Sequence, residues 1–101
     1  MKKFNIRFST IAFRDIENLR YVITEVYKSP QTARIYVEEI RKEINFLSIS
    51  AECLPVSELK AVLKYGHNSR RINYKKMAIV YTIHNDIVLI HRVVPGSMLT
   101  E

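Results

Sequence analysis

The sequence is poor in most of the residues that mark specialised protein classes. It holds one cysteine, Cys53, no tryptophan, two glycines and three prolines in 101 residues. A lone cysteine cannot close an intrachain disulfide, which excludes a disulfide-stapled secreted scaffold and fits a reducing cytoplasm. So little glycine and proline, beside 48% apolar residues, excludes collagen-like, low-complexity and disordered chains. No apolar run nears the roughly 20 residues that span a bilayer, so no membrane contact is expected. The opening Met1-Lys2-Lys3-Phe4-Asn5-Ile6-Arg7 begins basic, but Asn5 and Arg7 interrupt the apolar stretch a signal peptide requires. His67, His84 and His91 match no metal-site spacing, and no glycine-rich phosphate loop or nucleophile elbow is present. No metal and no cofactor are expected. What is left is one basic domain over residues 1–101 with material for a single core.

The absence with the most content is of acid. Sixteen Lys and Arg against ten Asp and Glu give a net charge of +6. From Lys60 to Lys76 there is no acidic residue, while Lys60, Lys64, Arg70, Arg71, Lys75 and Lys76 all fall there. The remainder of the chain carries ten basic and ten acidic residues, so the whole excess belongs to this window. Net charge speaks to partners rather than to fold, and the window is a candidate surface for an anionic target.

Periodicity supplies the elements. Phe4 to Ser9 alternates apolar and polar, as a half-buried strand does, with Phe4, Ile6 and Phe8 inward. Ala12, Ile16, Leu19, Ile23 and Val26 then recur at helical spacing, with Ser9 or Thr10 as N-cap and Asp15 and Glu17 near the positive helix end. Ser29-Pro30 starts a second helix with Ala33, Val37, Ile40, Ile44 and Leu47 on one face. Its outer face offers Arg34–Glu38 and Glu38–Lys42 pairs. A short connection makes the two helices a hairpin. Residues 50–68 read as irregular, with a turn at Tyr65-Gly66-His67-Asn68. Strands follow at Arg70 to Tyr74, Met77 to Ile83 and Ile87 to Val94, the last two joined by His84-Asn85-Asp86, and Pro95-Gly96 stops the third. The predicted fold is α+β, order β-α-α-β-β-β, with the helical hairpin on one face of a small antiparallel sheet.

On the strand Arg70 to Tyr74, alternation sends Ile72 toward the helices and Arg71 and Asn73 to an open face. Arg70 then needs a partner, because buried charges are not left unpaired. His91 beside Arg92 is the candidate for acid–base work near that face. Tyr74 and Tyr81 have rings able to stack on a base.

These elements and residues together resemble the RelE/ParE superfamily of bacterial type II toxins. The resemblance rests on Arg7-Phe8-Ser9 through Asp15-Ile16, on Ser29-Pro30-Gln31-Thr32-Ala33, and on Arg70-Arg71-Ile72-Asn73-Tyr74, Ile79-Val80-Tyr81 and Val88 through Gly96. It implies a growth-inhibiting toxin, of the kind associated with plasmid stabilisation, held by a cognate acidic antitoxin in a hetero-oligomer. It also implies one of two targets. RelE-like members cleave mRNA on the ribosome, and ParE-like members bind DNA gyrase without hydrolysing it; a catalytically inactive nucleic-acid-binding relic is the further alternative. Carried over by position, Arg71, His91 and Arg92 are the catalytic candidates, with Lys60, Lys64, Arg70, Tyr74, Lys75 and Lys76 as target contacts. RelE-like nucleases place a further Arg after an aromatic on the third strand and basic, His or Tyr groups at the chain's end. Here Ala78 and Ser97-Met98-Leu99 stand at those places.

Overall fold

A computed structural model describes residues 3–99; the basic Met1-Lys2 start lies outside them. The alternating segment forms β1 (Asn5–Phe8), followed by α1 (Thr10–Tyr21), α2 (Pro30–Ser50), a short α3 (Lys60–Leu63), β2 (Arg70–Tyr74), β3 (Met77–His84) and β4 (Ile87–Pro95). Ser9 is the N-cap of α1: its Oγ accepts from the Ala12 amide at 2.9 Å and donates to the His91 carbonyl at 2.9 Å. That one side chain starts the helix and ties it to β4, and such a cap is worth about 1 kcal/mol.

The expected stripe of α1 holds for Ala12 and Ile16, which are buried, and fades toward Val26, which is 62% exposed. The chain passes into a π-helical turn at Val22–Val26, whose wider pitch shifts the side-chain phase away from the core. Lys28, at φ 56°, then turns the chain toward α2. All five predicted positions of α2 are buried. Ser29 Oγ bonds the Thr32 hydroxyl rather than a backbone amide. On the outer face the ion pair that forms is Lys42–Glu39 at 3.5 Å, one turn apart and well exposed, where such pairs contribute little.

The strand order is β1-β4-β3-β2. β2, β3 and β4 are antiparallel and joined by two-residue turns at Lys75-Lys76 and Asn85-Asp86, with Lys75 at φ 53° and Asn85 at φ 56°. β1 adds parallel to β4, because the intervening helices return the chain in the same direction. The sheet is therefore mixed at this edge rather than wholly antiparallel. Phe4 and Ile6 reach the core, whereas Phe8, expected inward, is 40% exposed where β1 ends.

One expectation about the sheet is corrected. Its second face is covered over β3 and stays open on β2, where Asn73 is exposed. In β3 every residue from Met77 to Thr82 is buried, so both faces need cover, as in strands that read as continuous apolar runs. The helical hairpin covers Ile79 and Tyr81. On the other face α3 and the chain's end supply Val62 and Leu99, which enclose Ala78, Val80 and Val94, with Leu59, Ala61 and Tyr65 packed around them. The segment read as irregular thus carries a second core.

Candidate functional site: a basic hairpin and two buried polar clusters

The three catalytic candidates are not brought together. Arg71 and Arg92 lie in one cross-sheet row, each opposite Val80. They stand two strand spacings apart, roughly 10 Å, with the fully buried Val80 between them.

Arg92 is committed to α1. Its Nε donates to Asp15 Oδ2 at 2.8 Å and its NH2 group to Asp15 Oδ1 at 3.1 Å, a bidentate fork. Asp15 Oδ2 also accepts from the Val93 amide at 2.9 Å. The reason is topological. β1 pairs with β4 only as far as Ile90, so the edge of β4 beyond it has amides to satisfy, and Asp15 supplies an acceptor. The hydrogen bonds to Asp15 hold the Arg92 guanidinium above its ordinary range, against the effect of burial, and Tyr65 adds to them. Asp15, expected to favour the helix dipole, instead closes a sheet edge. Its signal was its place one residue from Ile16 on the buried stripe.

His91 sits on a β-bulge. Val80 is opposite Arg92 and Tyr81 is opposite Ile90, which leaves His91 as the extra residue of β4. Its Nε2 lies 2.8 Å from Thr82 Oγ1, and His84 Nε2 lies 2.7 Å from the same oxygen. One hydroxyl proton serves one acceptor, so at most one imidazole accepts from Thr82 and at least one donates to it. Burial, and then the neighbouring His84, push the His91 pKa below its ordinary value of 6.5. The Tyr65 ring packs on His91 at 5.7 Å between centroids. Gly66 crosses the same spot so closely that a Cβ there would lie 3.2 Å from Thr82 Cγ2. This cluster fastens the segment around α3 to the sheet. Thr82, the lone aliphatic hydroxyl in a largely apolar strand, was the readable sign of it.

Of the target contacts, Arg70 points toward the helices and is internal. Its guanidinium donates to the Leu54 carbonyl at 2.7 Å and the Ala51 carbonyl at 3.3 Å. Tyr81, its cross-strand partner, donates to the same Ala51 oxygen at 2.8 Å. Ala51 caps α2, so a cation and a phenol meet carbonyls that a helix end leaves unpaired. Tyr81 has no exposed surface, so it has no ring face to offer a base, and burial pushes its pKa up to about 12.

The remaining cations are divided. Lys60 and Lys64 are exposed on and just after α3, with the Lys64 ammonium 5.2 Å from the Tyr65 ring. Arg71, Lys75 and Lys76 line one shallow groove with Asn73, Gly96 and Ser97 at the β2–β3 turn. Arg71 donates to Asn73 Oδ1 at 3.0 Å. Lys75 stands over Tyr74 and Tyr36 at 5.5 and 5.6 Å, and those rings meet edge to face at 5.2 Å. Among the described residues no group of three His, Cys, Asp or Glu side chains could hold a metal. No helix among them is long and apolar enough to cross a membrane.

The model of a known family, described as the ParE toxin of the type II toxin–antitoxin system parDE, matches residues 6–100. The chain belongs to the ParE toxin family. A solved structure described as the chromosomal ParDE toxin–antitoxin system from P. aeruginosa superposes with a TM-score of 0.70 at 15% identity, covering 92% of this chain and 96% of that one. At that identity the likeness is one of fold. No curated protein sequence matches this one. Membership in a type II toxin family implies an antitoxin partner.

Proposed function

We propose that this toxin arrests growth by binding DNA gyrase without hydrolysing a substrate, and that an acidic antitoxin in a hetero-oligomer relieves it. One observation carries the choice of mechanism: Ala78 and Val80, in the middle of the sheet face that a ribonuclease would need, have no exposed surface beneath Val62 and Leu99. Attack of a 2′-hydroxyl on its own phosphate requires a proton acceptor, a proton donor and cations converging on one phosphate. Here Arg92 is engaged by Asp15, His91 by Thr82, and Arg71 lies across Val80 from Arg92. The groove of Arg71, Lys75 and Lys76 supports docking to an acidic surface, and Lys60 and Lys64 extend the basic character to α3.

The test is a pair of assays on the purified protein: supercoiling by gyrase and cell-free translation with intact-mRNA readout. Supercoiling should fail while translation continues and the message stays whole. Cleaved mRNA, lost again in Arg71→Ala, would replace this reading with a ribosome-dependent endonuclease acting through Arg71, His91 and Arg92.

A further inference from the structure

We propose that the segment over residues 59–69, which carries α3, is a strap that acid releases: charging His91 undoes its clasp on the sheet and uncovers the face of Ala78, Val80 and Val94. The release is a response of the fold itself, whichever target the toxin engages.

The strap has little of its own to hold it shut. α3 is four residues long, too short to be stable without tertiary contacts. Its apolar hold is the fully buried Val62, with Leu59, Ala61 and Tyr65 packed beside it. The core under the helical hairpin, by contrast, draws on both long helices and on β3 and β4. Ser69, where the strap meets β2, is buried and its Oγ makes no hydrogen bond, so the junction bears the cost of desolvating that hydroxyl with no bond in return. Segments with few buried apolar contacts open locally, well below the free energy of global unfolding.

What closes the strap is polar. Thr82 Oγ1 lies 2.8 Å from His91 Nε2 and 2.7 Å from His84 Nε2. On the strap side the Tyr65 ring covers His91 at 5.7 Å between centroids, and Asn68 Nδ2 donates to the Ile83 carbonyl at 3.1 Å. With both imidazoles neutral, the Thr82 hydroxyl donates to one and accepts from the other. Charged imidazoles only donate, so that hydroxyl proton loses its acceptor once both are charged.

The groups facing His91 give a proton no compensation. β3 brings His84, β4 brings Arg92 next in sequence, and the strap brings Tyr65 and Lys64, whose ammonium lies 5.2 Å from the Tyr65 ring. Ser9, ahead of α1, meets only the His91 carbonyl. The one carboxylate among these neighbours, Asp15 of α1, is bound to Arg92. Burial, and then His84, accordingly lower the His91 pKa from its ordinary 6.5 in the closed fold. With the strap lifted the ring regains water and binds its proton more readily, so opening is favoured as pH falls below 6.5. One proton taken up on opening gives about a tenfold rise in the open population between pH 7.5 and pH 5.5.

The experiment is residue-resolved hydrogen exchange on the intact chain at those two pH values, corrected for the intrinsic pH dependence of amide exchange and repeated in low urea. The amides of Val62, Leu63, Lys64, Tyr65 and Gly66 bond within the strap. They should lose about tenfold in protection at the lower pH, through an opening that urea barely promotes because it exposes little surface. Ile40 and Ile44, fully buried in α2, should exchange only through the urea-sensitive global opening. His91→Gln should remove the pH dependence of the strap, and His67→Gln, at an exposed position, should leave it intact. In the parent chain the His91 ring resonances should titrate below 6.5. Equal strap protection at the two pH values overturns the proposal, and so does a His91 ring that titrates at or above 6.5. Strap amides that share the urea sensitivity of Ile40 and Ile44 overturn it as well, as does a pH dependence that survives in His91→Gln.

Discussion

Replacing Asp15 with alanine tests whether one carboxylate closes the sheet and fixes Arg92. Its oxygens accept from Arg92 Nε at 2.8 Å, from Arg92 NH2 at 3.1 Å and from the Val93 amide at 2.9 Å. Losing the acceptor for the Val93 amide costs about 1 kcal/mol. Breaking a fully buried ion pair costs about 3–5 kcal/mol and an exposed one about 0–1. The side chains here are 27% and 14% exposed, which places this pair between those limits, at about 2 kcal/mol. The total is about 3 kcal/mol, and at roughly 4–8 °C per kcal/mol for a domain of this size Tm should fall by roughly 12–24 °C. Thermal and urea unfolding of Asp15→Ala, Arg92→Ala and the double variant give the coupling directly, expected at about 1–2 kcal/mol. Asp15→Asn keeps an acceptor for Val93 and loses the charge, so it should fall between the parent and Asp15→Ala. A Tm within about 4 °C of the parent for Asp15→Ala, or full additivity of the two single variants, would refute the assignment.

Three further outcomes follow from the buried groups. Because the folded state lowers the His91 pKa, the unfolded chain binds that proton more readily; stability is complete above pH 6.5 and declines as pH falls from there through the folded value. Urea midpoints between pH 8 and pH 5 should show that decline, and His91→Gln should flatten it. Arg70→Ala should cost about 2 kcal/mol by leaving the Ala51 and Leu54 carbonyls short of a donor; an unfolding midpoint unchanged in Arg70→Ala would mean that Arg70 is not the pin described. Ala78→Arg places a charge where no surface is exposed beneath Val62, and should destabilise by more than about 3 kcal/mol without conferring RNA cleavage. A stable Ala78→Arg protein that cuts mRNA would show that the second core opens readily.

The elements were legible because their apolar spacing is strong. The stripe of α2, the bounds of β2 and the starts of β3 and β4 follow from periodicity and from the turn read at His84-Asn85-Asp86, while β3 and β4 each run one residue past the expected end. What escaped is whatever depends on contacts distant in sequence. Val62 and Leu99 look like isolated apolar residues until β3 is seen to be buried on both faces. The parallel pairing of β1 depends on the path of the whole helical hairpin, not on its four residues. The bulge at His91 changes no residue type and leaves no mark on the pattern, yet it decides which way His91 and Arg92 reach.

The same distinction separates the charge of this chain from its chemistry. A window of six cations reads as one surface, but the fold assigns them different work. Arg70 turns inward to the end of α2, Arg71, Lys75 and Lys76 gather at a hairpin, and Lys60 and Lys64 ride on and just after α3. A cation paired with a carboxylate, as Arg92 is with Asp15, has its net charge offset locally and adds little to long-range attraction. A catalytic site needs such groups to converge within hydrogen-bond reach of one atom, whereas a docking surface needs only their sum. This fold supplies the sum at the turn, and binds Arg92 and His91, the two side chains best suited to chemistry, into its own structure.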